Sequence, residues 1–154
     1  MKTKIFALLL AFCFLAAGLC LAADPQMGTW KLNESKSKLA PGTGKNSTVT
    51  YKSMFGNVKV TIDGIDADGK PAHNAWTGKF DGKDYPVTGD PNSDMRSYRK
   101  VNDRTLDFTI KKGGKVTVKG RAVVAPDGKN RTVTSSGTTP KGKKFKSTTA
   151  YDKE

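Results

Sequence analysis

Histidine occurs once in this chain of 154 residues, at His73. A hydrolytic triad or a transition-metal site would need partners at readable spacing, and none stands near it. His73 therefore reads as a structural or solvent-facing residue. Both cysteines, Cys13 and Cys20, fall in an apolar leader, so the remainder has neither thiolate nor disulfide. The run Asp63-Gly64-Ile65-Asp66-Ala67-Asp68-Gly69 has the look of a calcium loop. In that register, however, the first ligand position falls on Gly64 and the last on Ala75, which leaves a hairpin turn. No glycosidase-like carboxylate pair and no phosphate loop is present. The expectation is a protein without catalysis, metal or cofactor.

Aromatic side chains offer more. In an extended segment alternate residues share a face, so Asn74, Trp76, Gly78 and Phe80 point one way. By the same parity Tyr85 goes with Val87, and Arg96 with Tyr98. If these faces turn inward, Trp76, Tyr85, Tyr98 and Arg96 line one pocket suited to a small amphipathic or anionic ligand. The alternative is that the rings are ordinary core.

Charge suggests a second class of partner. The chain carries 27 basic and 14 acidic residues. Such an excess attracts polyanions in a salt-dependent way, so acidic surface polymers are candidate partners for a basic envelope or extracellular interaction protein. Lysines on strands also serve solubility and protect edges. Nucleic-acid binding is not expected. Basic residues cluster around Lys111-Lys112 and from Lys141 to Lys146, but Phe145 alone gives no platform for stacking bases.

These side chains must be held by a fold, and the first residues are read as an address rather than part of it. Lys2 and Lys4 precede an apolar run from Ile5 to Leu21, with small residues at Ala22 and Ala23. This is the layout of a cleavable secretory signal over residues 1–23, followed by one domain over 24–154. A run of that length raises the question of an uncleaved anchor. Gly18, Cys20 and several alanines thin it, which favours cleavage, a secreted or periplasmic protein, and no stable membrane insertion afterwards. Without Lys2 and Lys4 the balance is 25 basic against 14 acidic, a net of +11.

Past the leader, short runs of β-branched and aromatic residues alternate with Gly, Asp, Asn and Pro clusters. Ten strands are expected, at 29–33, 47–53, 58–63, 72–80, 84–88, 95–101, 105–111, 115–124, 131–137 and 145–152. Residues 34–38 read as a helical turn ended by Pro41-Gly42. Reversals at Asp68-Gly69, Asp81-Gly82, Gly113-Gly114, Asp127-Gly128 and Lys141-Gly142 supply the positive φ of tight hairpins. Their spacing leaves no room for crossover helices, so consecutive strands must pair in an antiparallel up-and-down meander. Pro86, inside a strand, marks an edge or a bulge. A ten-strand sheet left open exposes two long edges, and closing it into a barrel removes them. Only 29 large apolar residues follow the leader, which suits a partly polar interior better than the solid core of the alternative, a β-sandwich.

Gly28-Thr29-Trp30, at the start of the first strand, resembles the Gly-x-Trp signature of lipocalins and fatty-acid-binding proteins, the calycin barrels. The ending Thr148-Thr149-Ala150-Tyr151-Asp152-Lys153 is similar to the last strand of fatty-acid-binding proteins. The stretch from Asp68 to Asp94 resembles small secreted bacterial proteins of unassigned function. The resemblance implies a calycin-like barrel with Gly28 and Trp30 at one end, Trp30 capping it under a basic side chain, Arg121 or Lys153. It does not carry over fatty-acid binding. Only 34–45 could hold the helical lid of that family, and Thr149 stands where its carboxylate-binding arginine would be.

Overall fold

The computed structural model describes residues 23–154, and the expected leader lies almost wholly outside them. Ten strands follow one another: β1 Gly28–Lys38, β2 Lys45–Met54, β3 Asn57–Ile65, β4 Pro71–Gly78, β5 Tyr85–Thr88, β6 Met95–Asn102, β7 Thr105–Lys112, β8 Lys115–Val124, β9 Asn130–Thr138 and β10 Lys144–Lys153. Each pairs antiparallel with the next. β1 also pairs with β10, from Trp30 opposite Lys153 to Asn33 opposite Ala150. The meander is thereby a closed barrel, and the two-sheet alternative does not occur.

The glycine reversals behave as the hairpins require: Gly69, Gly82, Gly113, Gly114, Gly128 and Gly142 all have positive φ. One tight turn went unforeseen, at Phe55-Gly56 between β2 and β3. Phe55 has φ +46° there with its side chain fully exposed, an uncommon backbone for a bulky residue.

Alternation along the strands sorts the interior from the exterior. Val60 and Ile62 of β3, Trp76 of β4 and Tyr98 of β6 are buried, and so are Leu106 of β7 and Tyr151 of β10. Along β3, Lys59 and Asp63 face water.

Two segments differ from the sequence reading. Residues 34–38 form no helical turn; β1 runs through them. Between Asn33 and Lys38 the chain advances five residues against two on β10, a large bulge. The short polar side chains there hold it in place. Ser37 Oγ donates to Asn33 O at 2.6 Å and accepts from Ala150 N at 2.9 Å, while Ala40 N donates to Ser147 Oγ at 3.0 Å. Hydrogen bonds of this kind replace lost ladder bonds as well as a helical turn would. Pro86 marks a local gap in the ladder: it pairs with Met95 of β6, and no residue of β4 is paired opposite it. It sits in the four-residue β5, which pairs through only two positions with β4 and two with β6.

Candidate ligand cavity

One end of the barrel is plugged by residues 24–27, and Trp30 organises the plug. Its indole is wholly buried and donates from Nε1 to Gln26 O at 2.9 Å. Gln26, also buried, reaches across to the turn after β6 through Nε2 to Arg104 O at 3.0 Å. Lys153 Nζ lies 5.0 Å over the Trp30 ring and donates to Pro25 O at 3.2 Å. Of the two basic partners expected for Trp30, Lys153 takes the place. Arg121 does not, and strand parity is the reason. Its neighbour Ala122 is buried facing inward, so Arg121 points out, where Nε donates to Asp107 Oδ1 at 2.6 Å. Arg121 and Arg99 both bond Asp107 and hold its carboxyl below the usual range.

Beyond the plug the core is not filled. A cavity of about 150 Å³ runs among the inward faces of the strands. Four aromatic rings stand in its wall: Tyr51, Tyr98, Phe108 and Tyr151. Burial pushes the Tyr98 phenol well above its ordinary value; nearby Tyr51 adds to this and Arg96 opposes it. Tyr151 is raised for the same first reason, with Arg131 opposing. Both phenols are therefore neutral at ordinary pH. Tyr151 spends its proton on Asn46 O, at 3.1 Å. Asn46 is exposed and Asp90 half-buried, so the cavity extends from the buried arginines toward solvent.

Two arginines also line it, and each is only 2% exposed. Arg96 comes from β6 and donates from Nη2 to Asn74 Oδ1 at 3.2 Å. Arg131 is the second residue of β9, with its guanidinium carbon 4.8 Å from the Trp30 ring and 5.0 Å from each of the Tyr51 and Tyr151 rings. Such contacts offset part of the cost of burying a cation. Neither guanidinium is ion-paired among the described residues; the carboxylate of Asp90 is occupied by Asn92 N and Ser93 Oγ of its own turn. Nε and Nη1 of both arginines have no hydrogen-bond partner.

The four residues suggested as ligand-binding thus divide. Arg96 and Tyr98 line the cavity. Trp76 and Tyr85 also face inward but lie outside its lining. The Trp76 ring meets Tyr98 edge-on at 4.8 Å and Tyr85 at 5.7 Å, stacks on Phe80, and donates from Nε1 to Arg96 O at 2.8 Å. Gly78 makes room for this: a Cβ there would come within 2.5 Å of Tyr85 and 2.7 Å of Trp76. The two rings back the wall and hold Arg96 and Tyr98 in place. Sequence reasoning passed over Tyr51, Phe108, Arg131 and Tyr151. Parity was the available signal, since Arg131 shares a face with Val133 and Tyr51 with Val49.

His73 lies on the outside, its Nδ1 2.6 Å from Asp63 Oδ1, with both side chains more than half exposed. Asp66 Oδ1 accepts from the backbone N–H of Asp68 and of Lys70, each at 2.9 Å, as a hairpin turn requires. Among the described residues no group of three or more His, Cys, Asp or Glu side chains is placed to hold a metal ion.

No family model matches the chain, and no curated protein matches it. Among solved structures, a redesigned β-barrel is 17% identical over 88% of this chain and 97% of its own, with a TM-score of 0.44. EF1p2_mFAP2b bound to DFHBI is 11% identical over 86% and 97%, at 0.48. The redesigned barrel mFAP1 bound to DFHBI is 17% identical over 86% and 98%, at 0.44. Similarity of this degree carries nothing about what the interior of the present barrel holds. In architecture the closed antiparallel meander agrees with the calycin resemblance.

Proposed function

We propose that this chain is an exported, non-enzymatic barrel that holds a small ligand in its interior. The carrying observation is the cavity itself, with four aromatic rings and two buried arginines around space the core does not fill. A folded domain of this kind ordinarily packs to crystal-like density, and leaving a gap forfeits contact energy. A ligand restores those contacts. Phenols, amides and guanidiniums bind and orient; the lining sets no nucleophile beside a base, which favours carriage over turnover. Export rests on the signal-like leader of residues 1–23. Native mass spectrometry of the protein purified from its own source tests the reading. The expected spectrum contains a species heavier than the bare chain that returns to bare mass on denaturation. Bare chain alone, together with no thermal stabilisation by any of a broad set of small metabolites, would contradict it.

A second reading has one observation in its favour. Lys52 and Lys59 stand directly opposite one another on the outer face of the β2–β3 pair, beside Thr50 and Thr61. Like charges facing across strands are destabilising, and an acidic polymer lying along them would relieve that. Retention on heparin that falls with rising salt supports this reading, and retention indifferent to salt opposes it.

A further inference from the structure

We infer that the interior ligand is a compact organic oxyanion, a carboxylate or phosphate on an apolar body about the size of one ring, held between Arg96 and Arg131. The inference deepens the ligand-binding reading and rests on it. Its starting point is an imbalance. Two guanidiniums, both 2% exposed, face one cavity, and four of their N–H-bearing nitrogens lack a partner. An unpaired buried donor costs free energy, and an unpaired buried charge costs more. Asn74 engages Arg96 only through Nη2, and the rings around Arg131 attract its charge without accepting its N–H bonds.

The missing component is an acceptor that carries negative charge. A guanidinium presents its donors in a planar fork that matches the two oxygens of a carboxylate or phosphate. The barrel supplies two such forks, and the one carboxylate in the cavity lining, Asp90, bonds Asn92 N and Ser93 Oγ of its own turn and neither arginine. The basic surface assists by drawing anions in.

Size and wall chemistry narrow the rest of the ligand. About 150 Å³ is the volume of an apolar cavity that accepts benzene. A long acyl chain would not be enclosed in that space and would have to run out through the mouth beside Asn46 and Asp90. Rings on several sides, Tyr51, Tyr98, Phe108 and Tyr151, suit a flat or compact apolar body beside the charged head.

Isothermal titration of the wild-type protein with benzoate, phenyl phosphate, benzamide and benzyl alcohol tests this. The four probes share a ring and differ in charge. The expected result is that benzoate or phenyl phosphate binds roughly 10-fold or more tighter than either neutral probe, since hydrogen bonds to charged groups are the stronger ones. Whichever anion binds more tightly distinguishes carboxylate from phosphate. Arg96→Met and Arg131→Met should each remove most of that preference and leave the affinity for benzamide little changed. Because the charge comparison is made on the wild-type chain, it holds even if a variant does not fold. Neutral probes binding as tightly as the anions would overturn the oxyanion while leaving a small-ligand barrel standing. No binding by any of the four, with no stabilisation by any metabolite, would remove both.

Discussion

Lys153, at the end of β10, places its ammonium 5.0 Å above the ring of Trp30 and donates to Pro25 O at 3.2 Å. One side chain thus joins the last strand, the first strand and the plug before it, just where the sheet closes on itself. Replacement by Met keeps most of the apolar stem and removes the charge and the donor. Lys153→Met should lower stability by about 1–2 kcal/mol, the sum expected of a partly buried cation–π contact and a hydrogen bond from a charged group. Chemical denaturation would measure it.

Gly28 explains why the Gly-x-Trp pattern begins with glycine. Its φ is +111°, and a Cβ there would lie 2.9 Å from Lys153 Cε. Gly28→Ala should therefore cost about 1–2 kcal/mol through backbone strain and also push Lys153 off the indole. The two substitutions touch one another, so they should not add. A double-mutant cycle in which the combined loss falls short of the summed single losses is the expected outcome.

The buried phenols set an alkaline limit. Tyr98 and Tyr151 both have raised pKa values, chiefly from burial. In the unfolded chain they ionise near pH 10. A raised value in the folded state means that their contribution is complete below that pH and is lost as pH climbs above it toward the folded values. The denaturation midpoint should stay flat across neutral pH and fall beyond about pH 10. Absorbance at 295 nm should show the buried phenols resisting titration until the protein unfolds.

β5 is the thin seam of the barrel. Four residues, two paired positions on each side and a proline without an N–H leave few ladder bonds to break. Hydrogen exchange should be faster at the amides of Val87 and Thr88 than at those of Val60 and Ile62 in β3. Equal protection would mean the seam opens only with the whole barrel.

Most of the architecture was legible because local rules set it. Glycine reversals bounded the hairpins, and alternation chose the inward face, so Val60, Ile62, Trp76 and Tyr98 fall where period two puts them. Residues 34–38 misled because Ser35 and Ser37 serve a bulge as readily as a helical turn, and only the partner strand decides. The cavity was half legible. Arg96 and Tyr98 follow from parity, whereas Trp76 and Tyr85 leave the lining because Gly78 lets both rings fold down behind it. Arg131 escaped notice because its role depends on meeting Trp30, Tyr51 and Tyr151 over the seam where β10 pairs with β1. Those four residues come from four different strands, and no spacing along the chain brings them together.

The most direct measurement of what the interior holds follows the side-chain Nε–H resonances of Arg96 and Arg131 by ¹⁵N–¹H NMR as benzoate or phenyl phosphate is added. Both nitrogens lack a partner in the barrel as it stands, so both signals should move in step and saturate, while the Nε–H of Arg121, already bonded to Asp107 at 2.6 Å, stays still. Movement confined to surface lysines, with the two interior arginines unchanged at saturating anion, would contradict an anion held inside.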